Sequence, residues 1–176
     1  MAVRRIRTFP DPVLREVAKP VEKKIDEEVR QTLSDMAETM YASNGVGLAA
    51  PQIGDSRRLV VVDVGRAEPS TGLLKLINPV ITDRFGTTKG EEGCLSLPDL
   101  LVEVERNEKV VVEALLPDGE PIRIEAEGLL SIALQHEIDH LNGVLLVDRL
   151  SSLRRSLYLR KRQKEDALQA NERRIA

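Results

Sequence analysis

A His-Glu-x-x-His stretch in the last third of the chain has the residue types and the spacing of a metal site. Residues four apart lie on one face of an α-helix, so His136 and His140 can bind the same metal ion. Glu137 borders that face and can reach a water molecule on the metal. The pattern is typical of metal-assisted hydrolysis with a glutamate as general base, although a solvated helix can match it by chance. The chain has only two histidines, and both lie in this motif.

A third metal ligand must come from elsewhere, because catalytic metal sites usually have three protein ligands and one open position. Downstream of His140 there is no further His or Cys, and Asp148 is the first of a few acidic candidates. Upstream, the only cysteine, Cys94, lies between Gly93 and Pro98, which suggests a rigid, shaped loop. An inert buried thiol and a nucleophile paired with histidine are the alternatives for Cys94. A Cys-His-His set is favoured because it also gives the second histidine and the glutamate a role.

Composition limits the classes of protein to which the chain can belong. The 176 residues suit a single domain, and 41% apolar with 31% charged residues is typical of a globular protein. A net charge of −3 gives no overall attraction to nucleic acid or membranes. No apolar run approaches the roughly 20 residues that span a bilayer, and no secretory signal is recognisable. With its single cysteine, the chain is predicted to be cytoplasmic.

The elements that must position these residues can be predicted from periodicity. A helix is expected from the N-cap Asp26 to Asn44, and a second one, carrying the histidines, from about Gly128 to Leu141. The small residues between Gly45 and Gly54 favour a tight loop. Strands are expected at 59–64, 73–81, 101–106, 109–115 and 121–126. The predicted fold class is α+β, with mostly antiparallel sheets around the metal-binding helix and a helix near each end of the chain.

The predicted C-terminal helix, from about Ser151 to the end of the chain, is strongly basic at its start. Between Arg149 and Lys164 there are seven Lys or Arg residues and no acid. A solvated helix and a docking surface for an anionic partner fit this pattern equally well.

Three stretches of the chain resemble the signature motifs of peptide deformylases of the bacterial type. They are Gly-Val-Gly-Leu-Ala-Ala-Pro-Gln at 45–52, Glu-Gly-Cys-Leu-Ser-Leu-Pro at 92–98 and Gln-His-Glu-Ile-Asp-His at 135–140. Their order, spacing and the chain length also resemble that family. The likeness covers nearly the whole chain, and three motifs together are far more specific than one.

The resemblance implies a hydrolase that removes the formyl group from the formyl-methionine of new polypeptides and releases formate. It implies Fe²⁺ as the physiological metal, replaceable by Zn²⁺, Ni²⁺ or Co²⁺, with Cys94, His136 and His140 as ligands. Water activated at the metal would attack the formyl carbon, with Glu137 as the base and then the acid. The family's oxyanion donors correspond to the side chain of Gln52 and the backbone N–H of Leu95.

Substrate contacts are carried over in the same way. The backbone of Gly45, Val46 and Gly47 would pair with an extended peptide. The methionine side chain would lie in an apolar pocket, formed by Val46, Leu129, Ile132 and Ala133.

A polar group is also expected to orient the metal ligands, since ligating histidines usually have such a partner. Glu92 or Arg106, together with Asp139, is our hypothesis for this group.

Two other functions are consistent with the residues alone. One is a small metallopeptidase of the His-Glu-x-x-His type, which lacks a convincing downstream ligand. The other is a ribosome- or RNA-associated binding protein with a structural metal, which low aromatic content and acidic net charge make less suited to reading nucleic acid. A deformylase could also contact the ribosome through its basic C-terminal helix. No membrane partner is expected.

Overall fold

The computed structural model of the protein describes residues 2–22, 25–65 and 72–175. Within these residues, seven strands and three α-helices are connected by short loops and three 3₁₀ helices. The α-helices are α1 (Glu27–Ala42), α2 (Gly128–Leu141) and α3 (Ser152–Ile175). The strands are β1 (Gly47–Ala49), β2 (Leu59–Val62), β3 (Leu74–Phe85), β4 (Thr88–Cys94), β5 (Leu97–Arg106), β6 (Lys109–Leu115) and β7 (Pro121–Glu127). The 3₁₀ helices are Pro12–Arg15, Ala50–Ile53 and Leu146–Arg149.

The strands form two antiparallel sheets. Five of them form one sheet in the order β1-β2-β3-β6-β7, and β4 and β5 form a separate hairpin. This architecture confirms the predicted α+β class with antiparallel pairing. Among residues 2–22, 25–65 and 72–175, no helix is long and apolar enough to cross a membrane.

Helices α1 and α2 cover opposite faces of the five-stranded sheet. Along β2, Val60 and Val62 belong to the core cluster under α2, whereas Leu59 and Val61 belong to the cluster under α1. This alternation is what a strand buried on both faces requires. The continuous apolar run that predicted the strand is therefore explained by helices on both sides.

Helix α1 begins and packs as its sequence predicts. The side chain of Asp26 accepts a hydrogen bond from the backbone N–H of Val29, at 2.9 Å, and so caps the helix. Its apolar stripe is fully buried at the spacing of a helix face, and consists of Val29, Leu33, Met36 and Met40.

Two segments that were interpreted as loops are strands. Gly47–Ala49 forms β1, which pairs with β2 at the edge of the large sheet, and only the following residues, from Ala50, turn away as a 3₁₀ helix. Small residues are poor local strand formers, but here the whole strand is buried and its pairing with β2 outweighs that preference. Cys94 likewise ends β4 of a hairpin, opposite Leu97, rather than lying in an independent loop.

The metal-binding helix and the candidate active site

Helix α2 and strand β4 bring the three candidate ligands together. Ligand atoms of Cys94, His136 and His140 all lie within 4.8 Å of one another. The sulfur of Cys94 is 3.2 Å from Nε2 of His140, and the two imidazole rings meet edge to face with centroids 5.0 Å apart. One thiolate and two neutral imidazoles around a common point suit a divalent transition metal with one open position.

The buried apolar face of α2 fixes where the two histidines point. Leu130, Leu134, Ile138 and Leu141 of this helix are buried in the core cluster against the sheet. The histidines lie on the adjoining face, which looks toward the β4–β5 hairpin. Cys94 is two residues beyond Glu92 on β4, so both side chains lie on the hairpin face that meets α2.

A buried polar network orients His136. Its Nδ1 is 2.9 Å from Oε2 of Glu92, so the ring donates a proton there and leaves Nε2 toward the metal ligands. Arg106 donates to both oxygens of Glu92, at 2.8 and 3.0 Å, and to Asp139 at 2.6 Å. The structure therefore brings together all three residues that were expected to orient the ligands.

These contacts stabilise the negatively charged form of Glu92. Burial would raise its pKa, but the hydrogen bonds from His136 and Arg106 outweigh that effect and lower the pKa to about 2. Glu92 is thus an anion under all physiological conditions. A permanent anion at Nδ1 keeps His136 in one tautomer and makes its other nitrogen a better metal ligand.

Glu137 follows His136 on α2, lines the same cavity as His136 and Cys94, and is almost inaccessible to solvent. It is 5% exposed, and its Oε2 atom finds no hydrogen-bond partner within the described residues. Burial raises the pKa of this carboxyl to about 7. A carboxyl group with a pKa near neutral pH and one oxygen that accepts no hydrogen bond can both take up and return a proton.

The absence of a side chain at Gly47 makes room for the carboxylate of Glu137 beside strand β1. A Cβ atom added at Gly47 would lie 2.4 Å from Oε1 of Glu137 and 2.9 Å from its Cδ. Cβ atoms essentially never come this close to another heavy atom, so with any side chain at position 47 either β1 or the Glu137 carboxylate would have to shift. The resemblance assigns Gly47 to peptide binding, and this close packing against the base is a second role that sequence reasoning missed.

Gln52 has its amide orientation fixed by the backbone. Its Oε1 atom accepts a hydrogen bond from the N–H of Ala49 at 2.8 Å. Its Nε2 group therefore points the other way, to Sγ of Cys94 at 3.6 Å and Oγ of Ser96 at 3.2 Å. The donor end of Gln52 thus faces the metal ligands, where an oxyanion donor is needed. Leu95, the other expected donor, lines the same cavity.

A cavity of about 530 Å³ opens onto these groups, and most of its accessible lining is apolar. Its walls include all of the residues that were assigned to the substrate: Gly45, Val46, Gly47, Leu129, Ile132 and Ala133. Sequence reasoning missed Gly90, Leu100 and Leu101, which lie on the hairpin and also line it. Alternation along β4 and β5 could have indicated their faces, but not that the hairpin folds over the site.

The first residues of the chain connect the two segments that carry the oxyanion candidates. The N–H of Arg7 donates to the carbonyl of Gln52 at 2.7 Å, and the N–H of Phe9 donates to the carbonyl of Ser96 at 2.9 Å. No side-chain pattern signals such backbone bonds, and the sequence did not predict them.

The downstream alternative for the third ligand is wrong for Asp148. Arg15 donates to both of its carboxylate oxygens, at 2.5 and 2.9 Å. Among the described residues, the one group of three candidate ligands that lies close enough together is Cys94, His136 and His140. The geometry thus favours the cysteine set over that of a His-Glu-x-x-His peptidase.

Comparison with known proteins agrees with this geometry. A family model described as polypeptide deformylase matches residues 3–156. A peptide deformylase of Thermodesulfovibrio yellowstonii is 48% identical over 161 residues, which cover 92% of this chain and 97% of the relative. One of Acidobacterium capsulatum is 51% identical over 164 residues, which cover 93% and 96%.

Solved structures of peptide deformylases are also similar to the chain. The structure from Legionella pneumophila has a TM-score of 0.87 and 48% identity, and the match covers 96% of this chain and 98% of that one. The structure from Ehrlichia chaffeensis in complex with actinonin has a TM-score of 0.88 and 38% identity, with 94% and 98% covered. Motifs, metal site, fold and relatives lead to the same conclusion: the chain belongs to the peptide deformylase family, metal-dependent hydrolases that remove the N-formyl group from new polypeptides.

Proposed function

We propose that this deformylase works with Fe²⁺ held by Cys94, His136 and His140, that Glu137 moves the protons, and that Gln52 and the N–H of Leu95 stabilise the oxyanion. The observation that carries this assignment is the cluster of three soft or borderline ligands, two of them on the helix that also carries Glu137, whose buried Oε2 atom has no hydrogen-bond partner among the described residues. The other assignments follow from the position of each group around that point.

The donor set fits a divalent transition metal. A thiolate with two imidazoles suits Fe²⁺, Zn²⁺, Ni²⁺ or Co²⁺ better than the oxygen-preferring Mg²⁺ or Ca²⁺. When bound, such an ion acts as a Lewis acid that lowers the pKa of water and polarises a carbonyl group. Fe²⁺ is our choice among these metals because of the family resemblance, and Zn²⁺, Ni²⁺ or Co²⁺ are expected to substitute.

In this proposal Glu137 transfers the proton in both halves of the reaction. Its carboxylate takes a proton from the attacking water and then gives it to the amine that leaves as the formyl C–N bond breaks. Its pKa of about 7 suits both tasks. The donor end of Gln52 faces the same centre, so it can hydrogen-bond to the formyl oxygen as negative charge develops there.

The edge strand β1 is available to the peptide that follows the formyl group. Strand β1 pairs with β2 and with no other strand among the described residues, so an extended peptide can add beside Gly47 and the two residues that precede the strand, Gly45 and Val46. The first side chain would then enter the apolar part of the cavity between Val46 and α2. Leu129, Ile132 and Ala133 provide the helix wall of this pocket.

The test is hydrolysis of formyl-Met-Ala by protein that has been loaded anaerobically with Fe²⁺. Released formate should accumulate in step with the free amine. Protein that contains metal in its site but releases no formate would contradict the proposal. Parallel loading with Zn²⁺, Ni²⁺ and Co²⁺ would rank the metals, and a higher turnover with Zn²⁺ than with Fe²⁺ would overturn the choice of iron.

We further propose that α3 contacts the ribosome, which would place the enzyme beside emerging chains in the cytoplasm. Tyr158 is buried and its hydroxyl donates to the carbonyl of Pro98 at 3.1 Å, which holds one face of the helix on the hairpin. Arg154, Arg160 and Lys164 are exposed on the helix. Exposed cations on a helix that is anchored to the hairpin suit a polyanionic partner. In this proposal residues 1–176 form a single catalytic domain, with 151–176 as its docking extension.

Charge reversal tests the docking without removing the packed face of α3. We expect Arg154→Glu, Arg160→Glu and Lys164→Glu together to weaken co-sedimentation with ribosomes while hydrolysis of formyl-Met-Ala stays within about twofold, because surface substitutions rarely alter the fold. Reversal of the same number of exposed residues on β7 is the control. Unchanged co-sedimentation of the α3 variant would contradict the contact.

A further inference from the structure

Gly90 lies inside strand β4 and lines the substrate cavity, yet no packing constraint explains why it is glycine. Glycine weakens a strand and usually marks a bulge or a close approach of another group. A Cβ atom added at Gly90 meets nothing within 4 Å among the described residues, and its φ lies outside the left-handed region. The register shift of the hairpin falls between Glu92 and Cys94, not at Gly90.

The direction in which a side chain at this position would point follows from the strand. Side chains alternate along β4, so position 90 shares its face with Glu92, whose carboxylate contacts His136. A side chain at position 90 would therefore project toward α2. It would enter the cavity that Leu129 and Ile132 line from the helix side.

We propose that Gly90 sets the breadth of the pocket for the first side chain of the substrate. The missing side chain leaves the pocket open on its β4 wall. The chain therefore accepts formylated peptides that begin with a residue bulkier than methionine, aromatic residues in particular. This inference rests on the proposed function and deepens it by naming the substrate class.

The test compares formyl-Met-Ala with formyl-Phe-Ala as substrates of the metal-loaded protein. The wild type should cleave the phenylalanine peptide with a kcat/KM within about tenfold of that for the methionine peptide. In Gly90→Ile, the ratio of the two kcat/KM values should fall by at least about tenfold, since filling a hydrophobic pocket changes selectivity by roughly 10- to 200-fold. Gly90→Ala and Gly90→Val should give intermediate ratios in the order of their size.

Lys89→Ala is the matched control on the same strand. Lys89 is exposed and pairs across the hairpin with Glu105, so its truncation leaves the cavity unchanged. The ratio of the two substrates should not change in this variant. The melting temperature of Gly90→Ile should not fall, because a β-branched residue suits a strand better than glycine.

Two results would overturn the inference. One is a wild type that cleaves formyl-Met-Ala but cleaves formyl-Phe-Ala more than about a hundredfold more slowly, which would mean that the pocket is already narrow. The other is an equal loss for both substrates in Gly90→Ile at unchanged melting temperature. Failure of the wild type to cleave formyl-Met-Ala would overturn the proposed function itself, and the inference with it.

Discussion

At the scale of single residues, the two histidines of α2 have different surroundings although they are only four positions apart. Nδ1 of His136 contacts the anionic Glu92, whereas Nδ1 of His140 is buried and finds no partner among the described residues. Burial lowers the pKa of His140 well below its usual value, which favours the neutral ring that a metal needs. The two histidines thus serve the same role as metal ligands in different surroundings: His136 beside an anion, and His140 through burial.

Replacement of Glu137 by alanine and replacement of Cys94 by alanine should have different effects on metal content and turnover. We expect Glu137→Ala to keep its metal but lose about 100- to 10,000-fold in kcat, because only proton transfer is removed. Cys94→Ala should lose metal, since two imidazoles alone do not hold a catalytic ion well. Metal content by mass spectrometry and kcat for formyl-Met-Ala are the measurements. Equal metal loss in both variants would contradict the roles assigned here.

Glu92→Gln should weaken metal binding although the residue is not a ligand. The amide loses the negative charge that holds His136 and leaves Arg106 with one anionic partner, Asp139. We expect a loss of about 10- to 100-fold in metal affinity, measured by competition with a chelator. Glu103→Gln, an exposed change on the neighbouring strand, serves as the control. An affinity equal to that of the control would show that Glu92 plays no part in binding the metal.

At the scale of elements, the site is formed where an edge strand, a hairpin and a helix meet. Strand β1 contributes Gly47, the hairpin contributes Cys94, and α2 contributes the histidines and Glu137. A different interaction positions each element. Strand β1 pairs with β2, α2 is buried against the sheet, and the hairpin is bonded to α2 through Arg106 and Asp139. The precision of the site therefore depends on the packing between elements more than on any one of them.

Gly47→Ala should reduce turnover through this packing. The added methyl group would overlap the carboxylate of Glu137, so either β1 or the carboxylate must move. We expect kcat to fall by about a hundredfold, as displacements near 1 Å can cause, with metal content unchanged. Stopped-flow kinetics and metal analysis on the same sample test this. An unchanged kcat would mean that Glu137 tolerates the shift and that its position is less critical than the geometry indicates.

Most of the helices and strands could be predicted from the sequence, but the contacts between them could not. The bounds of α1 and α2 followed from the cap at Asp26 and from helical periodicity, because those signals are local. Strand β1 was interpreted as a loop because small residues carry little strand preference, and pairing with β2 is a non-local effect. The Gly47–Glu137 contact joins residues far apart in the chain, so no local pattern encodes it.

At the scale of the whole molecule, the N-terminal segment is hydrogen-bonded first to α1 and then to the segments that carry the oxyanion candidates. Asp35 is buried on α1 and accepts hydrogen bonds from the backbone N–H of Ala2 at 2.9 Å and from Nε of Arg4 at 2.8 Å. Further along, Arg7 and Phe9 make the backbone bonds to Gln52 and Ser96. The N-terminal segment is therefore part of the frame that holds the oxyanion side of the site.

Asp35→Asn should destabilise the protein in a pH-dependent way. Burial would raise the pKa of Asp35, but hydrogen bonds from Gln31, Arg4 and Ala2 lower it below its usual 3.8. A lowered pKa in the folded state gives stability that is present above about pH 4 and is lost as the pH falls through the folded value. We expect a loss of about 1–3 kcal/mol in the free energy of unfolding at pH 7, shrinking toward pH 3.

Urea unfolding at a series of pH values measures this difference. Glu38→Gln, the same kind of change on the same helix, is the control. A destabilisation by Asp35→Asn that is equal at pH 7 and pH 3 would show that the charge of Asp35 is not what fastens the segment.

The separation of the ligands along the chain has a consequence for how the enzyme matures. Cys94 and His140 are 46 residues apart, and the N-terminal segment must close onto both halves of the site. Contacts between distant parts of a chain form slowly, because closing the intervening stretch of chain costs conformational entropy. A ribosome-bound fragment that ends before α2 has its cysteine but neither histidine. A growing chain therefore cannot form the three-ligand metal site before α2 has been synthesised, has emerged and has folded against β4.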